Sequence, residues 1–116
     1  MIDSKAKAKL FKDNKNVIGE DAYNSWCKIQ IELSKSGEVS NAEKAQIMEY
    51  YGLSYKHWEF TRWERKTRSV PKNAQAFFVA YIMYFWLFKQ KPRKNSQWFT
   101  KILSMTSNRI EGRDGK

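Results

Sequence analysis

Apolar side chains recur along this chain at the three- and four-residue spacings that gather them on one face of a helix, and glycine, serine and proline interrupt the pattern. Between Gly19 and about Ser34, Tyr23, Trp26, Cys27, Ile29, Gln30 and Leu33 form one such set, with Gly37 as its stop. Ser40-Asn41-Ala42-Glu43 then has the form of a capping box. In that motif the hydroxyl accepts from a backbone N–H and the carboxylate reaches back to the first residue's own N–H. It predicts a helix over Asn41–Tyr51 with Ala42, Ala45, Ile47, Met48 and Tyr51 as its apolar stripe, and Gly52 suits the left-handed residue that ends it. Ser54 can cap a further helix running from Tyr55 to about Arg65 or Lys66. Pro71 fits a first helical turn, where its missing donor costs nothing, and the most hydrophobic segment, Ala74–Phe88, follows it. The basic run Lys89 to Lys94 ends that segment, and a last helix starts near Ser96 with Trp98, Phe99, Ile102, Leu103 and Met105. Strand signals are weak throughout.

The pattern therefore predicts an all-α fold: a single domain of about five helices, with a helix-turn-helix over roughly residues 41–66 around a central hydrophobic helix. Residues 1–16, with Lys5, Lys7, Lys9, Lys12 and Lys15, read as a basic arm or a short helix, and residues 17–108 as the domain. Residues 109–116 read as a flexible tail, because Ile110-Glu111-Gly112-Arg113 spells a protease-recognition sequence familiar from expression vectors. Ala74–Phe88 is shorter than the about 20 apolar residues of a bilayer span. It also carries basic residues at both ends, Lys72 on one side and Lys89 and Lys91 on the other, so it gives no orientation signal. A helix apolar on every face is buried on every face. That makes Ala74–Phe88 a core helix or a homodimer surface, with the last helix as the alternative dimer surface, and it argues against the membrane as a partner.

Composition sharpens this picture. With 41% hydrophobic and 16% aromatic residues in 116 positions, the chain suits one modest core built from large rings. Twenty-two Lys and Arg against twelve Asp and Glu leave a net charge of +10. That much like charge repels itself in a compact state and points to a polyanionic partner. One cysteine, Cys27, excludes an internal disulfide and a Cys-rich metal site, and its helical position suits a buried thiol. With no apolar h-region near Met1, these features predict a reducing, cytoplasmic setting. Catalysis is not expected. His57 is the one histidine and has no nucleophile-base spacing around it, the five glycines form no phosphate loop, and no acidic pair is placed to hold a divalent cation. The reading is a non-enzyme without cofactor or metal.

The charge is clustered on the second helix of the pair around Gly52. Lys56, Arg62, Arg65 and Lys66 lie on it or at its end, Arg68 and Lys72 follow, and Glu59 and Glu64 oppose them. In a helix-turn-helix the second helix enters the major groove of double-stranded DNA, where Arg and Lys reach guanine edges or phosphates. Tyr55, Lys56, His57, Phe60 and Arg62 are the candidates to face bases, with Arg65, Lys66, Arg68 and Lys72 beside them, while Ile47, Tyr51, Leu53 and Trp58 would lock the two helices together. The stretch Thr61-Arg62-Trp63-Glu64-Arg65-Lys66-Thr67-Arg68-Ser69-Val70-Pro71 resembles the end of the recognition helix in Cro/XRE-type helix-turn-helix regulators, which often read Trp-Glu-x-Gly-x-Arg-x-x-Pro there. Upstream, Ser40-Asn41-Ala42-Glu43-Lys44-Ala45 is similar to the opening of that family's second helix, and the resemblance spans about Ser40 to Phe88. Gly52 lies nearly one helical turn farther from Ala45 than the family's turn glycine does, and Lys66 stands where the family has glycine. The resemblance implies a transcription regulator in which Trp63 anchors the core and Glu64 is a structural partner for Arg68.

A second cluster, Lys89, Lys91, Arg93, Lys94 and Lys101, contains no acid and would add phosphate contacts. Trp98 and Phe99 interleave with it, as stacking rings do in single-strand binders, although Ile102 continuing their stripe favours the core. The competing function is a small basic interaction or inhibitor protein, of the phage or mobile-element accessory type, that clamps onto an acidic host protein or nucleoprotein complex. A stripe of cations on one helix supports DNA, whereas an apolar patch rimmed by lysine supports a protein partner.

Overall fold

The computed structural model describes residues 20–114. The basic arm predicted before residue 17 and the final two residues lie outside them. Helix α1, Glu20–Leu33, buries Ala22, Tyr23, Trp26, Ile29 and Gln30, while of the stripe its periodicity predicted Cys27 is half-buried and Leu33 exposed. After a turn at Gly37 (φ +78°) come α2, Asn41–Tyr50, and α3, His57–Glu64. Helix α4, Lys72–Phe88, and α5, Gln97–Asp114, complete an all-α fold with no strand among the described residues. None of these helices is long and apolar enough to cross a membrane.

Helix α4 is the axis of the structure. It packs against α1 and α5, and α2 packs against α3. Ala74 and every residue from Ala76 to Tyr84 are buried, so the apolar circumference of α4 is covered within one chain over that length. Rings supply most of the cover. Trp26 from α1 meets Phe78 at 4.9 Å and Phe77 at 6.0 Å, and Tyr51 reaches Phe77 at 5.3 Å and Phe99 of α5 at 5.6 Å. Trp26 Nε1 is buried without a hydrogen bond, at a cost of about 1–3 kcal/mol. Roughly 250 Å² of ring surface at about 25 cal/mol per Å² contributes about 6 kcal/mol, so burial wins.

Local chemistry sets the ends of the helices. The Ser40 hydroxyl accepts from the Glu43 N–H at 3.2 Å and Glu43 Oε1 accepts from the Ser40 N–H at 3.3 Å, which completes the capping box. Helix α2 stops in a Schellman motif. Gly52 (φ +93°) donates to Glu49 at 2.9 Å, and Leu53 donates to Met48 at 3.0 Å. Helix α3 ends the same way with a lysine in the left-handed position: Lys66 (φ +59°) donates to Trp63 at 3.2 Å and Thr67 to Arg62 at 3.0 Å.

Three boundaries differ from the sequence expectation. Helix α3 begins at His57 with Lys56 as its cap, not at Tyr55 after Ser54, because Glu59 Oε2 accepts from the Lys56 N–H at 2.8 Å. The connection from α2 thus runs from Tyr51 to Lys56 and is longer than the tight Gly52-Leu53-Ser54 turn. Pro71 caps α4 from outside, its carbonyl accepting from Gln75 at 2.9 Å. Finally, α5 does not break near residue 109 but continues through Asp114, with Ile110 buried.

Candidate nucleic-acid interface

The α2–α3 pair folds back so that the start of α2 meets the end of α3. Asn41 Nδ2 donates to Thr61 Oγ1 at 3.1 Å and to Glu64 Oε1 at 3.0 Å. Its other amide atom, Oδ1, accepts from Lys44 Nζ at 3.2 Å. Lys44 is buried, with its ammonium 5.6 Å from the Tyr23 ring centre and 3.4 Å from the Tyr23 hydroxyl. These contacts offset the desolvation of an ammonium that would be costly alone. Burial pushes the Tyr23 phenol far above its ordinary range and also raises the Cys27 thiol, against the opposing pull of the Tyr23 hydroxyl and Lys44. Cys27 is a half-buried thiol packed against the core.

On α3 the inner face is aromatic, and the outer face carries Arg62, with Arg65 at the C-cap. Phe60 is 0% exposed, and Trp63 packs against it at 4.9 Å and against Tyr23 at 5.7 Å. Phe60 therefore belongs to the core and cannot meet a base, contrary to the sequence expectation: its spacing with Trp63 fits both readings, and only packing chose. Tyr55 is a support as well. Its ring sits edge-on to Trp63 at 5.2 Å and its hydroxyl donates to Asn73 Oδ1, which ties the segment before α3 to the start of α4.

The exposed face of α3 carries His57, Trp58 and Arg62, with Arg65 at its C-cap, flanked by Lys56, Lys66, Arg68 and, at the first turn of α4, Lys72. Trp58 was expected between the helices but is 44% exposed, with the Arg62 guanidinium 4.8 Å from its ring centre. Such a pair is worth about 0.5–1 kcal/mol at an exposed site and restrains the guanidinium. The i, i+4 spacing of Trp58 and Arg62 is the signal that could have found it. Both acids of α3 are engaged internally, Glu59 on the Lys56 N–H and Glu64 on Asn41 rather than on Arg68.

The second cluster is elsewhere. Lys89, Lys91, Arg93 and Lys94 are exposed in the α4–α5 connection beside α2, where Lys94 Nζ lies 5.8 Å from the Tyr50 ring centre. Phe99 is buried in the core and Trp98 half-buried, with Lys101 Nζ 5.8 Å from its ring. No cluster of three or more His, Cys, Asp or Glu placed to hold a metal ion occurs among the described residues. No family model, curated protein or solved structure matches the chain.

Proposed function

We propose that the protein is a small cytoplasmic transcription regulator that binds double-stranded DNA through α3. The observation that carries this reading is the sorting of α3: Phe60 and Trp63 face inward, Glu59 and Glu64 are engaged within the protein, and the outer face carries His57, Trp58 and Arg62, with Arg65 at the C-cap. Arg62, Arg65 and His57 supply donors for base edges in the major groove. Lys56, Lys66, Arg68 and Lys72 set the register on phosphates. A further support is Lys66, whose left-handed backbone (φ +59°) stands where the resembling family has glycine.

The test is selection of the purified protein against a random duplex pool at roughly 0.15 M salt, where counterion-driven binding is already weakened. Enrichment of a defined site, with Arg62→Ala losing about 1–3 kcal/mol of affinity for it, is the expected result. Lys56→Ala or Arg68→Ala should instead weaken all sequences and lower the salt slope by about 1 each. Variants that bind as well as the parent, or a pool recovered without enrichment, would end the proposal.

A further inference from the structure

Helices α1 and α2 and the α4–α5 connection enclose a groove of about 870 Å³ that shares no residue with α3. One side of it is apolar: Leu33, Val39, Ile47 and Tyr50 line it, and Leu33 and Tyr50 remain 39% and 55% exposed. Large apolar side chains left open in a concavity are the usual mark of a binding surface.

The other side is cationic and held in place. Lys89, in the left-handed conformation (φ +56°), turns the chain out of α4. Pro92 is buried with its carbonyl accepting from the Tyr51 hydroxyl at 2.6 Å, and its neighbours Lys91 and Arg93 stand exposed at the rim. Lys94 flanks them with its ammonium near the Tyr50 ring. The lining acid, Glu43, is hydrogen-bonded in the Ser40 capping box on the opposite side.

From this asymmetry we infer that the groove docks an acidic polypeptide segment with apolar anchors at helical spacing. Carboxylates complement the Lys89, Lys91 and Arg93 wall with Lys94 beside it, and apolar side chains cover Leu33, Val39, Ile47 and Tyr50. The helix-in-groove mode of recognition has these parts. A second copy of this chain is a poor occupant, because it would bring a net charge of +10 against a cationic rim. A sugar-phosphate strand would answer the cations and leave the aliphatic side chains uncovered.

The experiment is selection of the full chain against a displayed pool of random peptides about 16 residues long, roughly four helical turns. Enriched peptides are expected to combine Asp or Glu with Leu, Phe, Trp or Met at i, i+3 or i+4, and i+7. Two double variants, Leu33→Ser with Tyr50→Ala and Lys91→Glu with Arg93→Glu, should each weaken those peptides roughly tenfold or more. They alter exposed side chains, and a melting curve for each checks that the fold is retained. Arg62→Ala should leave peptide binding unchanged. The inference is overturned by a pool without enrichment, by acidic peptides that lack the apolar repeat and bind the Leu33→Ser, Tyr50→Ala variant as well as the parent, or by loss of binding in Arg62→Ala. Duplex binding measured on the same proteins reports α3 separately, so either proposal can fail while the other stands.

Discussion

Replacing Tyr51 with phenylalanine removes one hydroxyl and isolates the bond that fastens the α4–α5 connection to α2. The Tyr51 ring packs against Phe77, Tyr81 and Phe99 at 5.3, 5.8 and 5.6 Å, and phenylalanine keeps those contacts. What is lost is the 2.6 Å bond from the hydroxyl to the carbonyl of the buried Pro92. A net hydrogen bond is worth about 0.5–1.5 kcal/mol, and a buried carbonyl left without a donor costs about 1–3 kcal/mol. Tyr51 is only half-buried, so water partly replaces the lost donor and the lower range applies, about 1–2 kcal/mol in total. For a domain of this size that is a fall in Tm of about 4–8 °C. Far-UV circular dichroism melts and urea titrations of parent and variant measure it. A Tm within about 1 °C of the parent would mean that the hydroxyl does not hold the connection. A loss above about 4 kcal/mol would mean that ring packing had been disturbed as well, which the reasoning excludes.

Phe60→Ala should cost about 3–5 kcal/mol of stability, read as a shift of the urea midpoint, whereas a residue that faces DNA would lower affinity and leave the midpoint in place. The two Schellman positions should respond with opposite signs. Gly52→Ala forces a side chain into φ +93° and destabilises by about 1–2 kcal/mol. Lys66→Gly relieves the same strain at φ +59°, offset by the entropy of glycine, for a net gain of about 0.5 kcal/mol; calorimetry resolves both. Burial raises the phenols of Tyr23 and Tyr81 above their ordinary value, so the native state favours the neutral forms. Their contribution to stability is complete below about pH 10, the unfolded value, and is lost as the pH rises above it, at up to about 1.4 kcal/mol per pH unit for each. Urea midpoints measured between about pH 8 and pH 11.5 should fall along that limb, and Tyr23→Phe should flatten it; a limb of unchanged slope in the variant would refute the assignment.

Much of the fold is legible in the sequence, because its signals are local. The Ser40–Glu43 box, the glycine that ends α2, the proline before α4 and the unbroken apolar run of α4 each act through backbone groups within a few residues. Elements governed by such short-range terms can be read from spacing alone. The start of α3 was misread because two caps competed, and the Glu59 carboxylate on the Lys56 N–H prevailed over Ser54. The course of α5 past residue 109 was hidden by a tail sequence with no apolar stripe beyond Ile110.

The face that each aromatic residue takes belongs to tertiary structure. Phe60 and Trp58 are near neighbours on one helix with similar hydrophobicity, yet one is sealed in the core and the other stacks under Arg62 in solvent. Sequence determined that α3 is amphipathic and flanked on both sides by basic residues. Which rings it buried depended on where Tyr23 of α1 and Phe78 of α4 stood. In the same way, sequence showed the lysines after α4, but only the Tyr51–Pro92 bond and the fold of α2 against that connection turned them into one wall of a groove. Local spacing sets helices and charge; contacts between residues far apart in the chain decide which side chains meet and which stay open to a partner.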